Sequence, residues 1–184
     1  MTDPLPIRFA TLEPGALAAV TGRIAVILPD EGRSGALSRR LDRLSRGAIT
    51  RAMASEGWQK MKPGEAMDLA WPAGLQAEAL QLVKLPRGAP VAEARKAGAA
   101  IGKALGAGGV TVVAEGQSRL PEIALGLCLR AYEFTAHKTS GTRERGAAVI
   151  HATDPDAAAA AAATALALAE GICFTRDLVN EPAN

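Results

Sequence analysis

The stretch GICFTRDLVNEPAN, residues 171–184, decides how the chain is organised. Its first part is typical of the last turns of an α-helix. Pro182 has no amide hydrogen and disfavours helical geometry at Glu181, so the helix is predicted to end near Asn180. The sequence then stops without a closing strand or a polar tail. We therefore expect a cut just beyond a helix that connects two domains.

The helix leading into this stretch is predicted to begin at residues 153–156. Thr153 or Asp154 can cap it, and Pro155 suits the first helical position. A helix over 157–180 would be roughly 35 Å long at about 1.5 Å per residue. Because that length exceeds what a small domain needs, we predict an N-terminal α/β domain at 1–152. Residues 153–184 would form a linker helix and the start of a missing catalytic domain.

Short apolar runs alternate with amphipathic segments in the rest of the chain. Ile24–Leu28 is a continuous apolar run, which is typical of a strand buried on both faces. Further strands are predicted at 7–10, 66–71, 80–85, 110–114 and 147–151, and helices at 37–52, 91–105 and 120–134. Strands separated by helices predict a mixed sheet of about six strands, covered on both faces in a three-layer α/β fold.

Two details of the predicted helices concern packing and charge. Gly98, Gly102 and Gly106 recur every four residues, which predicts close packing of the 91–105 helix on the sheet. In the 37–52 helix, Asp42 is predicted to pair with Arg46. The basic residues of that helix fall on its outer side, and they are Arg39, Arg40, Arg43 and Arg46.

The composition favours a soluble cytoplasmic protein. Of the residues, 48% are hydrophobic but only 3% aromatic, and 21 basic against 19 acidic residues leave a net charge of +2. That charge is too small to favour nucleic acid or a membrane surface. Cys128 and Cys173, without a secretory signal, are predicted to be buried reduced thiols. The Ala-rich stretch 157–169 is too short and too rich in alanine for a membrane span.

The sequence shows no pattern typical of a catalytic or metal site. His137 and His151 are far apart and lack a His-Glu-x-x-His arrangement, so each is predicted to be structural. Neither cysteine has a nearby histidine to activate it, and Ser140 lacks the glycines of a nucleophile elbow. We therefore predict no catalytic, cofactor-binding or metal-binding residue in this chain.

The nine residues RDLVNEPAN, 176–184, resemble the segment that joins the two domains of the cytosol leucyl aminopeptidase family. Local physics does not require this mixture of side chains. A second similarity lies at YEFTAHKT, 132–139, which resembles the end of a helix in the N-terminal domain of that family. There Thr135 and His137 occupy positions where the family usually has Asp and Tyr. The residues that we assign to the inter-domain linker motif are Arg176, Asp177, Asn180, Glu181, Pro182 and Asn184.

The resemblance implies a macro-domain-like fold for this chain and a metalloexopeptidase for its parent. The parent would remove N-terminal residues from peptides, using two divalent ions, manganese or zinc, held by its C-terminal domain. The Asn-Thr-Asp-Ala-Glu-Gly-Arg motif that supplies part of the ligands does not occur here. The resemblance therefore implies an inactive scaffold or assembly domain, without a metal of its own, from a cytoplasmic hexamer.

Two alternatives of other classes remain open. The loop at 115–119 follows a predicted strand and precedes a helix, so it could hold an anion; this favours a free-standing macro-like module for ADP-ribose or another phosphorylated ligand. The basic helix at Arg39–Arg51 could contact DNA. Because no aromatic residue is interleaved to stack on bases, a solvated helix face is the better interpretation of its charge.

Overall fold

A six-stranded mixed sheet forms the centre of the computed structural model, which describes residue 2 and residues 4–29, 35–135 and 144–181. The strand order is β1-β6-β5-β2-β4-β3, and every neighbouring pair is parallel except β3 and β4. The strands are β1 (Ile7–Ala10), β2 (Arg23–Leu28), β3 (Ala66–Ala70), β4 (Ala79–Lys84), β5 (Val110–Val113) and β6 (Ala148–His151). The predicted mixed sheet is confirmed.

Helices cover both faces of this sheet. They are α1 (Ala36–Leu44), α2 (Ala48–Met53), α3 (Glu56–Lys60), α4 (Val91–Ala104), α5 (Leu120–Ala131) and α6 (Pro155–Asn180), with a short 3₁₀ helix at Ala16–Ala19. Leu41 of α1 and Trp58 of α3 are buried with one side of β2 and β4. The other side is buried against α4 and α5. The result is the three-layer arrangement predicted from the sequence.

Several predictions fall on residues outside the described ranges. They are the roles discussed for His137, Ser140, Pro182 and Asn184.

The prediction of a single helix at 37–52 is wrong, because the helix is interrupted between α1 and α2. Arg46 and Gly47 both have positive φ, of 55° and 77°, which a continuing helix does not allow. Asp42, which we predicted to pair with Arg46, accepts hydrogen bonds of 3.0 and 2.6 Å from the backbone amide and the hydroxyl of Thr50 in α2. These bonds satisfy one of the free amides at the start of α2. The basic residues therefore do not form one continuous helical face.

The glycines of α4 allow a close approach to α5 and not, as predicted, to the sheet. A Cβ atom added at Gly98 would lie 2.0 Å from the carbonyl oxygen of Ile123 in α5. One added at Gly126 of α5 would lie 2.1 Å from the carbonyl oxygen of Arg95 in α4. Gly106, beyond the end of α4, has open space at this position. The two helices thus cross with their backbones nearly in contact.

Helix α6 begins and ends where the sequence predicts. The carboxylate of Asp154 accepts a hydrogen bond of 3.0 Å from the amide of Ala157, and Pro155 occupies the first turn. By length and composition alone, this helix is also apolar enough to cross a membrane. One side of it packs on α5 and β1 and buries Ala169, Cys173 and Asp177.

Candidate functional site

The last turns of α6 meet the end of α5 at a buried carboxylate. Asp177 is 3% exposed. Its Oδ2 accepts a hydrogen bond of 2.6 Å from the backbone amide of Thr2, and its Oδ1 accepts bonds of 2.7 Å from the Thr2 hydroxyl and 2.9 Å from the Tyr132 hydroxyl. The bonds from the amide and the hydroxyl of Thr2 are the main cause of a lowered pKa of Asp177. The carboxylate is therefore ionised at neutral pH.

Tyr132 connects the two helices through two further contacts. It follows the last residue of α5, and its hydroxyl oxygen accepts a hydrogen bond of 3.2 Å from Nδ2 of Asn180. The guanidinium of Arg176 lies 5.4 Å from the centre of its ring and donates a bond of 2.8 Å to the carbonyl of Leu129. Burial raises the pKa of Tyr132, so the hydroxyl keeps its proton at neutral pH. We call Tyr132, Arg176, Asp177 and Asn180 the α5–α6 clamp.

The clamp brings together the two segments singled out in the sequence. Arg176, Asp177 and Asn180 come from the 176–184 stretch, and Tyr132 comes from the 132–139 stretch. The amide of Glu181 donates a hydrogen bond of 2.9 Å to the carbonyl of Asp177 and closes the last turn of α6. Thr2 was not predicted to take part, since nothing in the local sequence indicates that the beginning of the chain lies beside α6.

The charged and polar groups of the clamp hold the ends of α5 and α6 together. Across the described ranges, no three residues among His, Cys, Asp and Glu come together in a group that could hold a metal ion. His151 accepts a hydrogen bond of 3.2 Å at Nδ1 from the amide of Leu12, which gives it a structural role. The hydrogen bonds of the clamp join its members to one another, to Thr2 and to the carbonyl of Leu129.

Cys128 of α5 and Cys173 of α6 lie between these two helices, beside the clamp. Both are buried free thiols, and both line a pocket of about 330 Å³ together with residues 4–7. Burial raises the pKa of Cys128 to about 11 and also raises that of Cys173. A thiol with a raised pKa is a poor nucleophile at neutral pH. The prediction that these thiols are buried is confirmed.

The loop at 115–119 contributes a carboxylate, that of Glu115, to the start of helix α1. The carboxylate of Glu115 accepts hydrogen bonds of 3.0 and 2.9 Å from the backbone amides of Leu37 and Ser38 and a third, of 2.9 Å, from the Ser38 hydroxyl. These amides are the free donors at the start of α1, where an external anion would otherwise bind. Glu115 therefore occupies that position itself.

Comparisons with known proteins agree with this fold. No family model matches the sequence. The chain is 50% identical over 184 residues to a probable cytosol aminopeptidase of Cereibacter sphaeroides, and it spans 38% of that relative's length. Its fold is similar to that of a variant tomato leucine aminopeptidase, with a TM-score of 0.70 over 97% of this chain and 39% of that one, at 19% identity. A Trypanosoma brucei macrodomain in complex with ADP matches with a TM-score of 0.55 at 13% identity, so the predicted macro-like fold is confirmed.

Proposed function

We propose that this chain, a member of the cytosol aminopeptidase family that corresponds to the N-terminal domain of its leucyl aminopeptidases, is the non-catalytic scaffold of an exopeptidase. The whole protein would remove N-terminal residues from peptides. The observation that carries this proposal is the division of α6 into a side packed on this domain and an apolar side exposed to solvent.

The exposed side of α6 is unusually apolar for a free surface. Phe174 is 45% exposed, Leu178 60% and Val179 80%, and all three lie in the last turns of the helix. Contiguous apolar residues on a surface mark a contact with another body. A domain that follows α6 would cover this side, and the proposal assigns residues 1–152 to the scaffold and 153–184 to the connection.

The clamp supports a rigid connection. Because Asp177 is buried and accepts three hydrogen bonds, a change in the direction of α6 would leave its charge without partners. Fixing the exit of α6 also fixes where the next domain starts. A scaffold that positions a catalytic domain for assembly needs this rigidity, and a flexible tether would not provide it.

The chemistry of the parent would reside outside this chain. We assign the two divalent ions, manganese or zinc, to the catalytic domain, where they would supply the Lewis acidity for peptide hydrolysis. The names of the relatives support a cytoplasmic location and a peptide substrate. We also assign to the parent the hexameric assembly implied by the family resemblance.

An activity assay tests the proposal. The purified 184-residue chain, given leucine p-nitroanilide with manganese or zinc, should release no p-nitroaniline. In the full-length enzyme, the double substitution Phe174→Asp and Leu178→Asp should lower activity or change the assembled mass, because it places charges in the contact. The double substitution Ala157→Asp and Ala161→Asp, at exposed positions near the start of α6, is the matched control. Turnover by the isolated chain would refute the scaffold role.

The ADP-ribose alternative has less support. The macro-like fold favours it, but the 115–119 loop carries the carboxylate of Glu115, which already occupies the amides at the start of α1. Calorimetry with ADP-ribose should therefore show no heat of binding. The DNA alternative is weakened by the break at Arg46 and Gly47, which divides the basic segment between two helices.

A further inference from the structure

A groove with a volume of about 720 Å³ lies between the edge strand β3 and helix α4. Its wall on the α4 side is made of small side chains, including Ala99 and Ala100. Glu65 and Lys96 lie at one end of the groove, with 3.2 Å between carboxylate and ammonium. Lys103 lies two turns further along α4, about 10 Å away. The volume is in the range of sites that hold small ligands.

Strand β3 forms one side of this groove, and within the described part of the chain its only strand partner is β4. It lies at the end of the sheet, with β4 as its neighbour. The carbonyl of Glu65 accepts a hydrogen bond from the amide of Lys84, and the amide of Trp71 donates one to the carbonyl of Glu78. Since antiparallel pairing alternates along a strand, the backbone groups of Ala66, Asp68 and Ala70 point away from β4. Such an edge is a template for one more strand.

The charges in the groove are unevenly compensated. Glu65 is paired with Lys96, and Asp68 is paired with Arg23 at 2.6 Å. Lys103 and Arg130, from α4 and α5, line the same groove and have no carboxylate partner in the described ranges. One end of the groove therefore carries two uncompensated positive charges. These charges are complementary to a carboxylate.

Two further features, Gln81 in the floor of the groove and Trp71 at the end of β3, indicate what kind of molecule the groove binds. Oε1 of Gln81 is buried and has no hydrogen-bond partner, so an occupant with N–H donors suits the floor. Trp71, at the end of β3, is 76% exposed and has a φ of 47°, which is rare for a large side chain. An exposed tryptophan in a constrained conformation is a typical anchor for a protein ligand.

We propose that the β3–α4 groove binds an extended acidic peptide segment, which adds a strand to β3 and places a carboxylate against Lys103 and Arg130. A second copy of β3 fits less well. The one acidic residue of β3, Asp68, is already paired with Arg23, so a second copy of this strand offers no free carboxylate to Lys103 and Arg130. The proposal does not depend on the role of the chain in an aminopeptidase.

Fluorescence anisotropy with fluorescein-labelled hexaglutamate tests the site. The intact chain should bind the peptide, and the double substitution Lys103→Glu and Arg130→Glu should weaken binding at least tenfold. Two Arg→Glu changes at Arg43 and Arg51 reverse the same number of charges on the opposite side of the sheet, and they should change affinity less than twofold. Equal weakening by both pairs would show unspecific attraction and overturn the proposal.

A second arm separates strand addition from charge alone. Hexaglutamate N-methylated at alternate amides keeps its carboxylates but loses half of its donors. One of the two possible N-methylation patterns should weaken binding at least tenfold, and the other should weaken it much less, because only one set of amides faces β3. Equal binding of both peptides would overturn the proposal. Dimerisation of the chain in sedimentation, with peptide binding absent, would assign the edge to a second copy and overturn it as well.

Discussion

The hydroxyl of Tyr132 donates a hydrogen bond of 2.9 Å to Oδ1 of Asp177 and so joins the ends of α5 and α6 across 45 residues of sequence. Asp177 receives its other two bonds from Thr2, so one carboxylate fastens three segments of the chain. This arrangement gives a structural role to residues that the sequence distinguishes only by their family resemblance. It also suggests how the fastening can be tested.

Replacing Asp177 by Asn should remove a pH dependence of stability. Hydrogen bonds from Thr2 lower the pKa of Asp177 from its ordinary value of 3.8. The folded pKa is below the unfolded one, so the stabilisation is complete above about pH 4 and is lost as pH falls through the folded pKa. Urea denaturation between pH 2.5 and 7 measures the free energy of unfolding of wild type and Asp177→Asn. The difference in this free energy between the two proteins should shrink as the pH falls towards 2.5. A constant difference would contradict this assignment. The pKa of Glu65 is lowered as well, but it contributes equally in both proteins.

Replacing Tyr132 by Phe should cost less than replacing Asp177. The two bonds from Thr2 remain, and the ring still lies beside Arg176. The hydroxyl loses its bond to Asp177 and the bond that it accepts from Asn180, so we expect the Tm to fall by about 3–6 °C in a domain of this size. Differential scanning calorimetry of the Tyr132→Phe and Asp177→Asn variants shows which substitution lowers the Tm more. A larger loss for Tyr132→Phe than for Asp177→Asn would mean that the hydroxyl contributes more than the carboxylate and would contradict this order.

Replacing Gly98 by Ala should destabilise the crossing of α4 and α5. The added Cβ would lie 2.0 Å from a backbone carbonyl oxygen, which cannot move without shifting α5. Overpacking of this kind costs about 1–3 kcal/mol. Gly171→Ala in α6 is the control, since nothing lies within 4 Å of its Cβ position. That change should stabilise the protein by about 0.5–1 kcal/mol. Chemical denaturation curves of the two variants should therefore move in opposite directions.

The two thiols should resist alkylation in the folded protein. Burial raises the pKa of Cys128 to about 11, so roughly one molecule in a thousand carries the thiolate at pH 8. Iodoacetamide labelling followed by mass spectrometry should show slow modification in buffer and rapid modification of both cysteines in guanidinium. Fast labelling of the native chain would mean that the layer between α5 and α6 opens readily.

Replacing Glu115 by Ala should destabilise the start of α1. The substitution leaves the amides of Leu37 and Ser38 without their acceptor, and the loss of such a cap costs about 1 kcal/mol. Glu78→Ala, at an exposed position before β4, is a matched removal of one carboxylate and should have a smaller effect. Thermal unfolding monitored by circular dichroism compares the two. A Glu115→Ala variant with unchanged stability would show that water replaces the carboxylate without loss of stability.

Much of the fold follows from patterns that are local in the sequence. The Ile24–Leu28 run predicted a strand covered on both faces, and all of its residues are buried. Asp154, Pro155 and Pro182 predicted the limits of α6, because capping and the missing amide of proline act within a few residues. The break at Arg46 and Gly47 could not be predicted, since the apolar spacing continues through it from Leu41 to Ile49.

The sequence by itself determined the type, order and approximate limits of the strands and of the longer helices, and it identified the residues of the clamp as notable. Only the tertiary structure decided what these residues contact: Thr2 against Asp177, Gly98 against Ile123, and Glu115 against the start of α1. The physical reason is one of range. Backbone preferences and hydrophobic periodicity are set by near neighbours in the chain, whereas these contacts join residues that are brought together only when the sheet and its helices pack.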